Sequence, residues 1–273
     1  MISFPNCKIN IGLHVINKRD DGFHTIETIF YPVPLFDMLE IVEIKNSKGT
    51  IDIKVEGLEI EGDQQNNIVV KAYDLLNKDF ELGSIKCVLY KNIPIGGGLG
   101  GGSSDAAHAL KMLNSIFNLK LSNEELKKYA SKLGSDCAFF IDNIPSLATG
   151  KGELLKPIEL NLKNYFLLIV KPNMHVSTQW AYSNVNVPNS PGISIAECIQ
   201  QPISNWKNNI VNDFEQTVFK EFSEIETIKQ KLYDEGAVYA SMSGSGSSVF
   251  GIFKEYPNKK GLTENYQTFV CKL

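Results

Sequence analysis

No run in the 273-residue chain reaches the roughly 18 apolar residues that a membrane-spanning helix needs, so a membrane protein is not expected. The opening Met1-Ile2-Ser3-Phe4-Pro5-Asn6 has no basic stretch leading into an apolar one; a secretory leader is not expected, and the reading is a cytoplasmic protein. Cysteine is sparse and scattered. Five residues, at 7, 87, 137, 198 and 271, form no Cys-x-x-Cys pair, which excludes a zinc ribbon or dithiol redox motif and fits reduced thiols. Positive charge is not in excess either: 27 basic against 31 acidic residues leave a net charge of -4. A broad polyanion-binding surface, and with it nucleic acid as a partner, is therefore not expected. Any phosphate ligand must be held by a local device. Internal repeats and low-complexity tracts are absent.

What is present fits a globular α+β protein, with 43% hydrophobic and 21% charged residues and enough length for two lobes sharing a cleft. Residues 7–16 alternate as a strand with Lys8, Asn10 and His14 on one face. A turn at Asp20-Asp21-Gly22 follows, then strands over 36–44 and 50–56, a helix over 67–78 and a strand over 85–91. Ser122 and Glu125 read as a capping box opening a helix that Gly134 ends. Beyond about residue 157 the pattern resets, with a strand over 165–170, one long helix over 213–235 stopped by Gly236, and a strand over 247–253. Residues 183–209 read as loops with a short helix. The expected division is a lobe over 1–156 and a second over 157–273.

The densest signal lies between the strand at 85–91 and an alanine-rich helix. Six of the seven residues from Gly96 to Gly102 are glycine, an entropic liability unless the backbone must take positive φ angles or let something approach closely. Such a loop at a helix start converges unpaired N–H groups and the positive end of the helix dipole on one point, where phosphate oxygens bind. Ser103 and Ser104 add hydroxyls for phosphate or Mg²⁺. A Walker A loop is excluded because Ser103 follows Gly102 directly, with no lysine between. A dinucleotide fingerprint matches Gly96, Gly98 and Gly101 in form, but the region that should hold the acidic strand end reads as a second helix.

Pro94-Ile95-Gly96-Gly97-Gly98-Leu99-Gly100-Gly101-Gly102-Ser103-Ser104-Asp105-Ala106-Ala107 resembles the phosphate-binding motif of the GHMP kinase superfamily. The resemblance extends to Pro5–Leu13, to Asp21-Gly22-Phe23-His24, to Leu133-Gly134-Ser135-Asp136 and to Ser243–Ser247. Together these look like the 4-diphosphocytidyl-2-C-methyl-D-erythritol kinases within that superfamily. Residues 183–235 match only in outline. The resemblance implies a ribosomal protein S5 domain 2-like N-terminal lobe, a ferredoxin-like C-terminal lobe and an active site in the cleft between them. It also implies ATP as donor, Mg²⁺, a cytidine diphosphate-linked alditol as acceptor, a monomer or homodimer, and a place in non-mevalonate isoprenoid synthesis.

Phosphoryl transfer to an alcohol asks a protein to orient or deprotonate the hydroxyl and to neutralise charge on the moving group. From its spacing, Asp136 suits a helix N-cap as well as a base, and Lys8 suits a solvated strand lysine. The resemblance makes Asp136 the base and Lys8 its partner. It also places Phe23 and Tyr182 at stacking positions on a cytosine, His24 at the base edge, Asn10 and Thr178 on the acceptor side, and Asn67 and Lys91 near the adenosine. Several positions depart from the family pattern. Cys7 replaces a usual alanine, Phe23 a tyrosine, Cys137-Ala138 valine and proline, and Ser243 and Ser245 threonines. Other small alcohols such as homoserine or mevalonate, a non-catalytic nucleotide-binding homologue and an NAD-binding protein are the rival readings.

Overall fold

The computed structural model describes residues 1–59, 62–187, 193–259 and 261–273, so part of the loop expected over 183–209 lies outside the described residues. In chain order the elements are β1 (Ile2–Ser3), β2 (Asn6–Lys18), β3 (His24–Phe36), β4 (Met38–Lys48), β5 (Ile51–Gly57), α1 (Ile68–Phe80), β6 (Gly83–Lys91), α2 (Gly101–Ile116), α3 (Asn123–Leu133) and α4 (Phe139–Asp142). Then come β7 (Ser146–Thr149), β8 (Leu154–Pro157), β9 (Phe166–Lys171), α5 (Thr178–Asn184), α6 (Ile195–Cys198), α7 (Trp206–Asn209), α8 (Phe214–Glu221), α9 (Ser223–Asp234), β10 (Tyr239–Met242), β11 (Val249–Phe253) and β12 (Gln267–Lys272). The mixed strands and helices make this an α+β protein.

The chain forms two units, each assembled from separate segments. The first comprises Met1–Cys7, Leu35–Ile95 and Gly100–Ile144. Its sheet runs β1-β4-β6-β5, with β4 antiparallel to β6 (Met38 opposite Tyr90) and β5 parallel to β6 (Ile51 opposite Ile85). Alternation in β4 and β6 buries Leu39, Ile41, Ile85, Cys87 and Leu89 on one face. Against that face pack α1, through Val69, Tyr73 and Leu76, and α2, through Ala106, Ala109, Leu110 and Leu113. The alanines of α2 let helix and sheet approach closely, which fixes where its first turn sits. At α3 the expected capping box is present, Ser122 and Glu125 each bonding the other's backbone.

The second unit comprises Lys8–Pro34, Gly96–Leu99 and Pro145–Leu273. It holds an antiparallel sheet β10-β11-β9-β12, covered by α8 and α9, whose Val218, Ile225, Ile228 and Leu232 join Leu168, Val170 and Val249 in one apolar cluster. Its other strands are ordered β2-β3-β7-β8.

Two expectations are corrected here. The helix expected over 213–235 is two helices, because Phe222 leaves helical geometry (φ -124°, ψ 68°) and sets its ring edge-on to Trp180 at 5.5 Å. The segment 24–36, not expected as a strand, is β3. Its Pro32 and Pro34 argue against a ladder, but the pairing with β7 uses only Thr28–Phe30, before either proline.

Candidate active site

In the first unit the glycine loop ends by opening α2. Gly100 is its N-cap at φ 70°, ψ 17°, with no side-chain cap, so the first-turn N–H groups are left for another acceptor. Ser104 is fully buried and its Oγ has no partner among the described residues. Ser103 meets a different segment of the same unit. A Cβ placed on Gly134 would lie 3.9 Å from Ser103 Oγ and 3.3 Å from Cys137 Sγ, and the Ser103 hydroxyl bonds the Cys137 thiol. Burial pushes that thiol up to about 11, against the opposing hydrogen bond from Ser103, so it is neutral at physiological pH. Asp136, half-buried, adjoins Cys137. The proposed base and a proposed phosphate hydroxyl thus sit on touching segments. The following helix α4 is capped at Ala138, so Asp136 is not its N-cap.

The same unit contains a cavity of about 590 Å³ lined by Val55, Gly57, Leu58, Glu59, Asn66 and Asn67. Asn67 caps α1, its Oδ1 accepting from Val69 N–H at 2.9 Å. Lys91 reaches the cavity wall through its carbonyl, which accepts from Leu58 N–H at 2.9 Å. Its ammonium points inward instead, bonded to Asp37 and, at 2.6 Å, to Asp105. Burial works against the Lys91 charge, but Asp105 and Asp37 outweigh it and hold its pKa above the ordinary lysine value. Burial raises Asp105 above the ordinary carboxylate range in spite of Lys91. Because Asp105 lies just after the first turn of α2, this cluster ties the glycine-loop helix to β6.

In the second unit Lys8 and Asn10, both buried, share one face of β2 as the alternation requires. Lys8 Nζ donates to Asn10 Oδ1 at 2.6 Å and to the Gly98 carbonyl at 3.2 Å, with the Phe30 ring centroid 4.8 Å away. Ser243 Oγ donates to the same Gly98 carbonyl at 2.9 Å, and Asn10 N–H donates to Ser243 Oγ at 3.2 Å. Asn10 Nδ2 donates to Thr28 Oγ1 at 3.0 Å, and Thr28 in turn donates to the Gly12 carbonyl at 2.5 Å. Asn212 Nδ2 steadies the Ser243 turn by donating to the carbonyls of Met242 and Gly244, both at 2.8 Å. The first half of the glycine loop is therefore pinned directly onto the strand that carries Lys8.

Of the acceptor-side residues, His24 stacks on Tyr182 (centroids 5.2 Å apart, planes 27° apart), and Phe214 braces Tyr182 edge-on at 4.8 Å. Burial, and then Lys18, lower the His24 pKa, which favours the neutral ring. Thr178 Oγ1 lies 3.1 Å from Ser245 Oγ. Phe23 is 57% exposed and stands apart from the His24–Tyr182 stack, with the Lys151 ammonium 4.6 Å from its ring centroid.

Residues 67–150 match the family model for the GHMP kinases N terminal domain, and residues 195–268 match that for GHMP kinases C terminal. The chain is a GHMP kinase. This kinase is 51% identical over 271 residues to 4-diphosphocytidyl-2-C-methyl-D-erythritol kinase of Bacteroides fragilis, covering 99% of this chain and 98% of that one. It is 46% identical to the enzyme of the same name from Cytophaga hutchinsonii, with all of both chains covered. A crystal structure of 4-(cytidine 5'-diphospho)-2C-methyl-D-erythritol kinase matches with a TM-score of 0.81 at 29% identity, covering 99% of this chain and 98% of that one. The Methanococcus jannaschii mevalonate kinase shares the fold at 16% identity, with a TM-score of 0.73 over 100% of this chain and 98% of that one.

Sequence reasoning about this kinase passed over Thr28, which holds Asn10, and the pair Asp37 and Asp105. An aspartate in an otherwise apolar segment, Leu35-Phe36-Asp37-Met38-Leu39, was the available signal for Asp37. Nothing local marks Thr28. Among the described residues no helix is long and apolar enough to cross a membrane, and no group of three or more His, Cys, Asp or Glu side chains could hold a metal.

Proposed function

We propose that this kinase transfers the γ-phosphoryl group of ATP to the 2-hydroxyl of 4-diphosphocytidyl-2-C-methyl-D-erythritol, in the cytoplasm, as a step of non-mevalonate isoprenoid synthesis. The acceptor reading rests on the name carried by relatives that match the chain from end to end. The roles of residues rest chiefly on one observation, the pinning of the Gly98 carbonyl by Lys8 and Ser243, which sets a buried ammonium against the phosphate loop.

In this reading the adenine enters the cavity beside Asn67, with the backbone around Lys91 forming its wall. Gly96–Gly102, preceded by Pro94 and interrupted by Leu99, offers backbone N–H groups to the phosphates, and Ser103 adds a hydroxyl. Asp136 accepts the proton of the attacking hydroxyl, while Lys8 stabilises the developing alkoxide and, through Asn10, stays fixed in place. Tyr182 and His24 receive the cytosine, with Phe23 and Thr178 at the margin of that site. The lobes of the proposal are residues 1–156, which bind ATP, and 157–273.

Mg²⁺ suits this arrangement because it is commonly held by substrate phosphates, waters and one or two protein oxygens. Ser104 Oγ, buried without a partner among the described residues, is the protein oxygen that fits it. Bound there, the ion would neutralise charge on the β- and γ-phosphates.

A coupled ADP-release assay tests the reading, with 4-diphosphocytidyl-2-C-methyl-D-erythritol, homoserine and mevalonate offered separately. Turnover with the first alone is expected. Turnover confined to homoserine or mevalonate would overturn the acceptor, and turnover with none of them would overturn the activity.

A further inference from the structure

The glycine loop carries no lysine of its own, and the protein is net acidic, yet charge gathered on a polyphosphate has to be met by a cation. Within the second unit, besides Lys8 on the Gly98 carbonyl, a further lysine lies against the loop. Lys171, the last residue of β9, packs its stem on Gly97 so closely that a Cβ there would sit 3.2 Å from Lys171 Cδ and 3.3 Å from Cε. Its ammonium donates to the carbonyls of Pro172 at 2.7 Å and Met174 at 2.9 Å. An ammonium has three donors, so two neutral carbonyls leave one unused. Among the described residues no carboxylate pairs with it. It is half-buried, and burial lowers its pKa, the condition of a cation that lacks a counter-charge.

A second polar group at the same place also lacks a partner. Ser248 is fully buried, its Oγ bonds nothing among the described residues, and any side chain at Gly97 would collide with it. Its N–H donates to the Gly97 carbonyl at 3.3 Å, so the hydroxyl is held at the loop. His175 flanks Gly96, its Nδ1 2.9 Å from where a Cβ would stand. Glycine at 97 therefore keeps Lys171 and Ser248 within reach of whatever the loop backbone binds.

We propose that Lys171 is a second cation of the glycine loop, binding a phosphate oxygen held at Gly96–Gly98, with the Ser248 hydroxyl as a neighbouring donor. This rests on the phosphoryl-transfer reading above. The oxygen belongs either to the nucleotide or to the diphosphate of the acceptor, and the chemistry of recognition is the same for both.

The test uses the whole protein with its lysines reductively dimethylated by ¹³C-formaldehyde, which keeps their charge. The Lys171 resonance is assigned by its loss in Lys171→Arg, and ATP and CDP are titrated separately, with calorimetry in parallel. A shift of that resonance with ATP alone identifies a nucleotide phosphate, and a shift with CDP alone identifies the acceptor diphosphate. Either supports the proposal. An unmoved resonance while calorimetry records ATP or CDP binding overturns it and leaves the kinase reading intact, whereas absence of binding by both nucleotides overturns the two together. In kinetics, Lys171→Met should raise KM for one phosphorylated substrate roughly tenfold or more, as expected for losing a hydrogen bond to a charged group, and leave the other KM unchanged. Lys171→Arg should recover part of that loss. A residue that merely braced the 172–174 turn would move both constants or neither.

Discussion

Replacing Lys91 by methionine tests how the glycine-loop helix is anchored. Lys91 is 3% exposed and faces Asp37 at 0% and Asp105 at 1%. Removing one partner of such a buried ion pair typically costs about 3–5 kcal/mol, because charge is left in the interior without compensation. Against a usual total of roughly 5–15 kcal/mol, that is a large fraction of the stability. The two carboxylates would respond differently. Asp37 Oδ1 keeps the backbone N–H groups of Asn92 at 2.6 Å and Ile93 at 2.8 Å. Asp105 is left facing Asp37, which disfavours its charge, with an Oδ1 that has no partner among the described residues, and should take up a proton. Asp105 already binds its proton more tightly folded than unfolded, burial being the main cause. Its contribution is thus fully present below the ordinary value of 3.8 and is lost as pH rises through the higher folded value. Lys91→Met moves that folded value further up, so the variant's deficit should widen from acid to neutral pH. Urea unfolding followed by circular dichroism at several pH values measures it. Asp105→Asn is the comparator: it leaves a one-to-one Lys91–Asp37 pair and should cost less than about 1 kcal/mol at neutral pH. The reasoning fails if Lys91→Met stays within about 1 kcal/mol of wild type, or if Asp105→Asn proves the more damaging change.

Other consequences concern the site directly. Asp136→Asn should lower kcat by roughly 10²–10⁴-fold with both KM values nearly unchanged, since the lost interaction belongs to proton transfer; near-normal turnover in steady-state kinetics would remove Asp136 from the chemistry. Gly98→Ala should abolish measurable ATP binding by calorimetry, because Gly98 sits at φ 75° and a methyl group there would run into the Ser243 carbonyl. Gly102→Ala, whose methyl group would meet only Ile68 Cγ2, at 4.0 Å, should bind ATP normally; equal behaviour of the two would show that loop shape is unimportant. Tyr182→Leu should raise KM for the cytidylyl acceptor about tenfold, the worth of one base stack, without affecting KM for ATP; a change in the ATP constant instead would move the aromatic site to the donor.

How much of this could be read from the sequence varies element by element, for physical reasons. The glycine loop, α2 and the α3 capping box were legible because each rests on local chemistry: positive φ, unpaired N–H groups, a serine bonded three residues on. That Lys8 and Asn10 share a strand face followed from alternation alone; their contact is seen only in the structure. By contrast β3 was hidden by Pro32 and Pro34, which lie beyond its pairing with β7, and the break at Phe222 was hidden by continuous apolar spacing, although Ser223-Glu224-Ile225-Glu226 is itself helix-opening chemistry. Lys91 was read toward the adenosine, yet its ammonium direction depends on Asp37, 54 positions away, which no local pattern reveals. The same holds for Lys171 and Ser248, whose meaning arises only where β9 and the turn before β11 meet Gly97.

The most direct test of the account is a ³¹P NMR spectrum of the wild-type protein with ATP, Mg²⁺ and 4-diphosphocytidyl-2-C-methyl-D-erythritol. A new phosphomonoester resonance on the acceptor, growing in step with ADP while the cytidyl diphosphate signals persist, is the predicted result. ADP accompanied by inorganic phosphate, with the acceptor spectrum unchanged, would contradict it.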